Sequence, residues 1–325
     1  MDVRRRTVAT AAAFAAAFLC TGSAGAGETG GRPVALVTAE VQNDVLALSL
    51  PDGRVVRRRH VDDPQTIAAA PSGLAVVVSP SGAVTLIAPR TLQPLAVLRG
   101  FRSPQVAAIA PDGRWAYVTD AGTGDLAVIG LARRRVVDRV FVGRGAHHLA
   151  VAPDGTEVWV ALGEHARTIV VVDTSRAARP RVVRRISTRF AAHDLAFAPD
   201  GATVWAGSAD DMWVRVLSAR TARVVARVVA GPPPQHVAFL PYGAGRAYVT
   251  SGYGSQLELV DPRTRRVVRR VHVPYGSFNL ATGGDLVVTT SLLTGGLTEL
   301  NGADLAPLLR TKVGAEARDV AIGVW

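Results

Sequence analysis

The stretch Ala110-Pro111-Asp112-Gly113-Arg114-Trp115-Ala116-Tyr117-Val118-Thr119-Asp120 decides the fold. Proline presets φ at the first corner of a turn, aspartate bonds the backbone two residues on, and glycine accepts a positive φ. The run that follows is aromatic, β-branched and threonine-bearing, which reads as strand. The turn returns as Ala70-Pro71-Ser72-Gly73, Ala152-Pro153-Asp154-Gly155, Ala198-Pro199-Asp200-Gly201 and Leu240-Pro241-Tyr242-Gly243, and more weakly as Ala281-Thr282-Gly283-Gly284. The prolines Pro71, Pro111, Pro153, Pro199 and Pro241 stand 40 to 46 residues apart.

Each repeat holds four short strands. One precedes the turn, as at Leu149 to Ala152 or Leu195 to Ala198. A second follows it, as at Trp115 to Thr119, Val158 to Ala161 or Ala247 to Thr250. A third comes at Leu126 to Ile129, Ile169 to Val172 or Leu257 to Val260. The fourth is arginine-rich, as at Arg54 to Arg59, Arg135 to Val140, Arg181 to Ile186, Arg223 to Val228 and Arg265 to Val271. No stretch after the first residues sustains a helical period. Four strands in about 40 residues, repeated, define a β-propeller.

The ends indicate how the ring closes. Val34 to Thr38, Val45 to Leu50 and Arg54 to Arg59 supply strands two to four of a blade without its first strand, and Arg318 to Val324 reads as that strand. The expectation is an all-β, seven-bladed propeller of four-stranded antiparallel blades, closed by the C-terminal strand joining the N-terminal blade. Closure removes two open sheet edges, and arginines on each outermost strand guard the edges that remain.

The second strands carry Tyr117-Val118-Thr119-Asp120 and Tyr248-Val249-Thr250-Ser251, with looser copies at Trp159-Val160-Ala161 and Val287-Val288-Thr289. In these strings after a P-D-G turn the chain resembles the YVTN family of β-propeller repeats over nearly its whole length after residue 26. The resemblance implies the fold. It leaves open three activities found among related propellers: non-catalytic secreted proteins, lactonase-like hydrolases and haem d1-binding domains. The final asparagine of the string is replaced in the copies quoted, and the GH…WD signature of WD40 repeats is missing.

The first residues read as a leader. Arg4, Arg5 and Arg6 precede an apolar run from Val8 to Leu19, and Ala24-Gly25-Ala26 offers a cleavage site. The run is shorter than the ~20 residues a bilayer span needs, so residues 1–26 are expected to be a removable signal peptide and residues 27–325 the propeller. Arg5-Arg6 followed by Thr7-Val8 leaves the general and twin-arginine export routes open. The expected location is extracytoplasmic, periplasmic or secreted, with no membrane span. Cys20 is the only cysteine, so cleavage after Ala26 leaves no disulfide, thiol nucleophile or cysteine-bound metal. The net charge of +11 rests on arginine, with Lys312 the only lysine. No nucleic-acid-binding motif accompanies it, so no nucleic-acid partner is expected.

In a propeller the first strand of each blade lines the central channel. Six residues before each turn stand Gln65, Gln105, His147, His193 and Gln235, with Gly276 in the weak repeat and Arg318 in the closing strand. One residue later come Thr66, Val106, His148, Asp194, His236, Ser277 and Asp319. Four of the seven histidines fall in these two phased positions. Blade symmetry gathers them at one channel mouth, where imidazole and carboxylate can serve as a metal or acid–base site or simply as hydrated lining. Loops on the same face add Glu40 and Asp44, Asp120 and Asp125, Glu164 and His165, Asp210 and Asp211, and Tyr253. The acid pairs match no dedicated calcium loop and read as solvated turn residues. Trp115, Trp159 and Trp205 recur at matching positions and read as packing between blades. The loops Gly122-Thr123-Gly124 and Gly252-Tyr253-Gly254 precede no helix, so they are not phosphate cradles.

The candidate ligand-binding set is therefore Gln65, Gln105, His147, His148, His193, Asp194, Gln235, His236, Arg318 and Asp319. No catalytic residue and no metal ligand is assigned, and the cofactor is left open. The leading expectation is a monomeric, non-catalytic scaffold that binds a small molecule or protein at the channel mouth, because the repeats account for nearly every residue without chemistry. A lactonase-like hydrolase or lyase using His147, His148, His193 or His236 as base, and a haem- or metal-binding accessory propeller, are the alternatives.

Overall fold

A computed structural model describes residues 32–70, 74–88, 90–163, 167–233, 235–240 and 245–324. The leader with Cys20, parts of the first and fifth turns, Glu164, His165 and Trp325 lie outside the described residues. Three P-D-G turns lie within them. Gly113, Gly155 and Gly201 have φ of 66°, 73° and 69°. Their amides bond the carbonyls of Ala110, Ala152 and Ala198 at 2.8 Å. Asp112, Asp154 and Asp200 each accept the amide two residues on at 2.9 Å.

The strands form seven four-stranded antiparallel sheets arranged as a ring, a seven-bladed β-propeller. Blade one joins the C-terminal strand Val320–Val324 to Pro33–Ala39, Asp44–Ser49 and Val55–His60. Its closing register runs from Pro33 opposite Val324 to Val37 opposite Val320. The inner strands of blades two to seven are Thr66–Ala69, Pro104–Ile109, Leu149–Val151, Ala192–Phe197, Gln235–Phe239 and Ser277–Gly283. The matching outermost strands are Gln93–Leu98, Arg135–Phe141, Arg181–Ser187, Val224–Val229, Arg266–His272 and Pro307–Lys312.

The core is split into seven apolar clusters, one in each seam between neighbouring blades. This explains why the middle strands are apolar on both faces. In Asp44–Ser49 all but the last residue is buried, because each face packs on a different seam. Outermost strands alternate instead, as in Arg181–Ser187, where exposed and half-buried residues take turns. Trp159 and Trp205 fill two seams edge-on to Phe197 and Phe239, with centroids 5.8 and 5.4 Å apart.

The Tyr-Val-Thr string owes its threonine to the next blade. The hydroxyls of Thr38, Thr119 and Thr250 donate to the carbonyls of Gln65, His147 and Phe278, each in the lead-in to the next blade's inner strand or at that strand's start. The residue after Thr119 and the one after Thr250 hold the connecting loops: Ser251 donates to the Pro232 carbonyl. Asp120 is fully buried and accepts the amides of Arg102 and Ser103 at 2.9 Å. The threonine bonds set where Gln65, His147 and Phe278 stand.

Candidate functional site

Blades four, five and six bring their histidines to one point. His147 and His148 lead into the inner strand of blade four, while His193 and His236 lie in those of blades five and six. His193 Nε2 and His236 Nε2 are 3.1 Å apart, and so are His147 Nδ1 and His148 Nδ1. The His148 ring stands edge-on to His193 and His236, with centroids 4.4 and 5.2 Å away. One ring nitrogen from each of His148, His193 and His236 lies within 4.8 Å of the other two. Nitrogens about 2.0–2.1 Å from a tetrahedral metal are about 3.4 Å from one another. Modest ring rotations would close the difference.

The protonation state suits a metal. Burial, followed by the neighbouring imidazoles, holds His148 and His236 well below the ordinary histidine value. Burial and then His147 bring His193 down to about 4. All three are neutral at pH 7, so each ring keeps one nitrogen with a lone pair, though the His193–His236 contact engages one of these. His193 Nδ1 is buried without a hydrogen-bond partner.

Together with channel residues of the other blades the cluster lines a cavity of about 230 Å³. Gln65 and Thr66 come from blade two, Gln105 and Val106 from blade three, Phe278, Asn279 and Leu292 from blade seven, and Arg318 from the closing segment; Tyr253 overhangs from a loop of blade six.

Three residues of the sequence-derived set stand apart from the cavity lining. Gln235 is fully buried: its Oε1 accepts the Ser208 amide at 2.8 Å, and its Nε2 donates to the Asp211 and Gly231 carbonyls. Asp194 Oδ2 accepts the Val237 amide at 2.8 Å, 4.0 Å from His236 Nδ1. Asp319 does the same at the seam between blades one and two, accepting the Ile67 amide at 2.9 Å. Burial drives both carboxyls up, Asp194 to about 7 and Asp319 to about 6, against the pull of those amides. They brace neighbouring strands beneath the mouth.

The loop acids are largely engaged within the protein. Glu40 pairs with Arg318 at 2.6 Å, Asp44 with Arg58 at 2.9 Å, and Asp211 with Arg215. Asp210 accepts the Ser208 hydroxyl at 2.7 Å.

Leu292 sits in the loop after Leu286–Ser291, outside the inner-strand positions counted, while Phe278 and Asn279 were missed from sequence for a definite reason. Counting back from the weak Ala281-Thr282-Gly283-Gly284 turn puts Gly276 at the channel position. The Thr250 bond shows that Phe278 holds it. Counting forward from the threonine of the preceding blade would have found it.

No protein-family model matches the sequence, and no curated protein matches it significantly. Solved structures do match in fold. A functionally unknown protein from Desulfotomaculum acetoxidans superposes with a TM-score of 0.79 at 12% identity, over 90% of this chain and 99% of that one. Apo AztD from Citrobacter koseri gives 0.70 at 12% identity, over 90% and 98%. Dihydro-heme d1 dehydrogenase NirN, in complex with DHE, gives 0.63 at 14% identity, over 88% and 74%. At such identities the likeness defines the class, a seven-bladed propeller, and nothing narrower.

Proposed function

We propose that the protein is an exported, YVTN-type binding propeller that holds one divalent transition-metal ion at its channel mouth through His148, His193 and His236. The convergence of three imidazoles from three successive blades, His193 buried and His148 and His236 nearly so, carries this reading. It favours the metal alternative over the sequence expectation that assigned no metal ligand. Imidazole donors suit zinc, copper, nickel or iron rather than calcium or magnesium. His147 supports His148, and Asp194 lies where a carboxylate can orient His236 once the metal draws on the ring.

Binding rather than turnover fits the remaining groups. Asp194 and Asp319 are committed to backbone amides. Among the described residues this leaves no carboxylate lining the cavity as a general base. Export rests on the leader at residues 1–26. N-terminal sequencing of protein from the native host is expected to start at Gly27, and retention of Met1 would remove export from the proposal.

Calorimetric titration of metal-free protein with Zn²⁺ tests the site. One equivalent should bind with a Kd below about 1 μM. His193→Ala should weaken binding at least 100-fold, whereas His60→Ala, on an exposed outermost strand, should leave it unchanged. Equal zinc binding by wild type and His193→Ala would overturn the reading.

A further inference from the structure

The mouth is not symmetric, and the order of its residues around the ring is informative. Blades four to six supply the histidines. Blade seven supplies Phe278, with Tyr253 of blade six leaning over it at a centroid distance of 4.9 Å. The closing segment that follows supplies Arg318, and blades two and three supply the amides Gln65 and Gln105. Around the cavity from the histidines the lining passes therefore to an aromatic wall and then to a cation.

The aromatic wall is built into the backbone. A Cβ on Gly252 would fall 2.2 Å from the Phe278 ring, so only glycine lets that ring lie against the loop. The glycine loop that held no phosphate thus has a role as the seat of Phe278. Tyr253 is 55% exposed and Tyr275, 6.1 Å from it, is 49% exposed. Large aromatic surface left open beside a concave polar site marks a ligand-binding wall. The cationic end is held in register with it: Asn279 Nδ2, next to Phe278, donates to the Arg318 carbonyl at 2.7 Å. Arg318 spends one nitrogen on Glu40 and keeps further donors.

Charge narrows the ligand class. A divalent ion held by the three histidines would be the largest charge in the cavity. It would stand with an open coordination position, since the three histidines leave a fourth ligand to be supplied.

We propose that the mouth binds, with its metal, a small heteroaromatic carboxylate: a ring nitrogen completes the coordination, the ring lies on Phe278 and Tyr253, and the carboxylate meets Arg318. A cavity of about 230 Å³ limits it to one small ring system. This rests on the metal reading above, and the experiment separates the two.

The test uses the full mature protein loaded with Co²⁺, whose visible bands report its coordination. Pyridine-3-carboxylate is the probe, with pyridine and 3-aminopropanoate as its two halves. Pyridine-3-carboxylate should shift the cobalt bands with a Kd at least tenfold below that of either half. Arg318→Met should reduce it to the level of pyridine. Tyr253→Ala, at a half-exposed position, should weaken both ring-bearing probes about tenfold, a loss at least three times larger than for cobalt alone, and Tyr253→Phe should restore them. Cobalt that binds but answers all three probes alike, or none, overturns this proposal and leaves the metal site standing. Cobalt that does not bind at all overturns both.

Discussion

His193 shows how one side chain can carry both the cost and the use of a site. Its ring is 6% exposed, its Nδ1 has no partner, and burial brings it down to about 4. A group that is harder to protonate in the folded state than the free value of 6.5 penalises folding below that value. Its contribution is intact above pH 6.5 and is lost as the pH falls toward 4. At about 1.4 kcal/mol per unit the loss reaches about 3 kcal/mol. His148 and His236 act in the same direction, and Asp194 and Asp319, raised to about 7 and 6, act in the opposite one. The variant His193→Gln isolates one term. In chelator, its denaturant midpoint relative to wild type is expected to rise as the pH drops from 6.5 to 4. Curves that stay parallel would show that the buried ring does not resist protonation. Four histidines in phase were legible in the sequence. Which nitrogens face each other was not, because χ angles depend on neighbours from other blades.

At the scale of the strand, two devices tie each blade to the next. One is the threonine that ends the Tyr-Val-Thr string. Thr119→Val keeps the shape and removes the hydroxyl that serves the His147 carbonyl. A cost of about 1–2 kcal/mol is expected in urea unfolding. Metal affinity should fall with it, since His147 leads into the histidine cluster. The other device is the outer-strand arginine. Arg139, Arg185 and Arg310 donate to the carbonyls of Gly100, Val142 and His272, each at the end of, or just after, the previous blade's outermost strand. Arg139 also lies over the Phe101 ring at 4.3 Å. The sequence reading made these arginines guards against edge pairing, and their geometry adds bracing between blades. Arg185→Ala should cost about 1 kcal/mol, and Arg269→Ala, exposed on its strand, less than about 0.5 kcal/mol. Equal effects in the two variants would remove the brace.

The whole molecule depends on its last strand. Val320–Val324 is the inner strand of blade one, and the seam between blades seven and one buries Val320 beside Ala35, Val37 and Leu46. Deleting residues 316–325 opens an edge along Pro33–Ala39 and exposes that seam. The midpoint of thermal unfolding should drop by about 10 °C or more. A truncated protein that melts with the full-length one would show that the ring does not need its closure. The deletion also removes Arg318 and Asp319, so the channel mouth loses its cationic end with the same cut.

The sequence by itself determined the blade count, the strand order, the closing strand and the phase of the histidines. These follow from short-range chemistry: a turn that needs proline, aspartate and glycine, and a repeat length that admits four strands. Tertiary structure decided what stands at the mouth. It turned Gln235 inward to three backbone partners, gave Asp194 and Asp319 to the amides of neighbouring blades, and moved Phe278 into the position counted as Gly276. The physical reason is the ring itself. Channel residues such as Gln65, His147 and Phe278 are positioned by a bond from the blade before them, some 28 residues away at Thr119 and His147, and no local pattern records which side chain such a bond turns toward the channel.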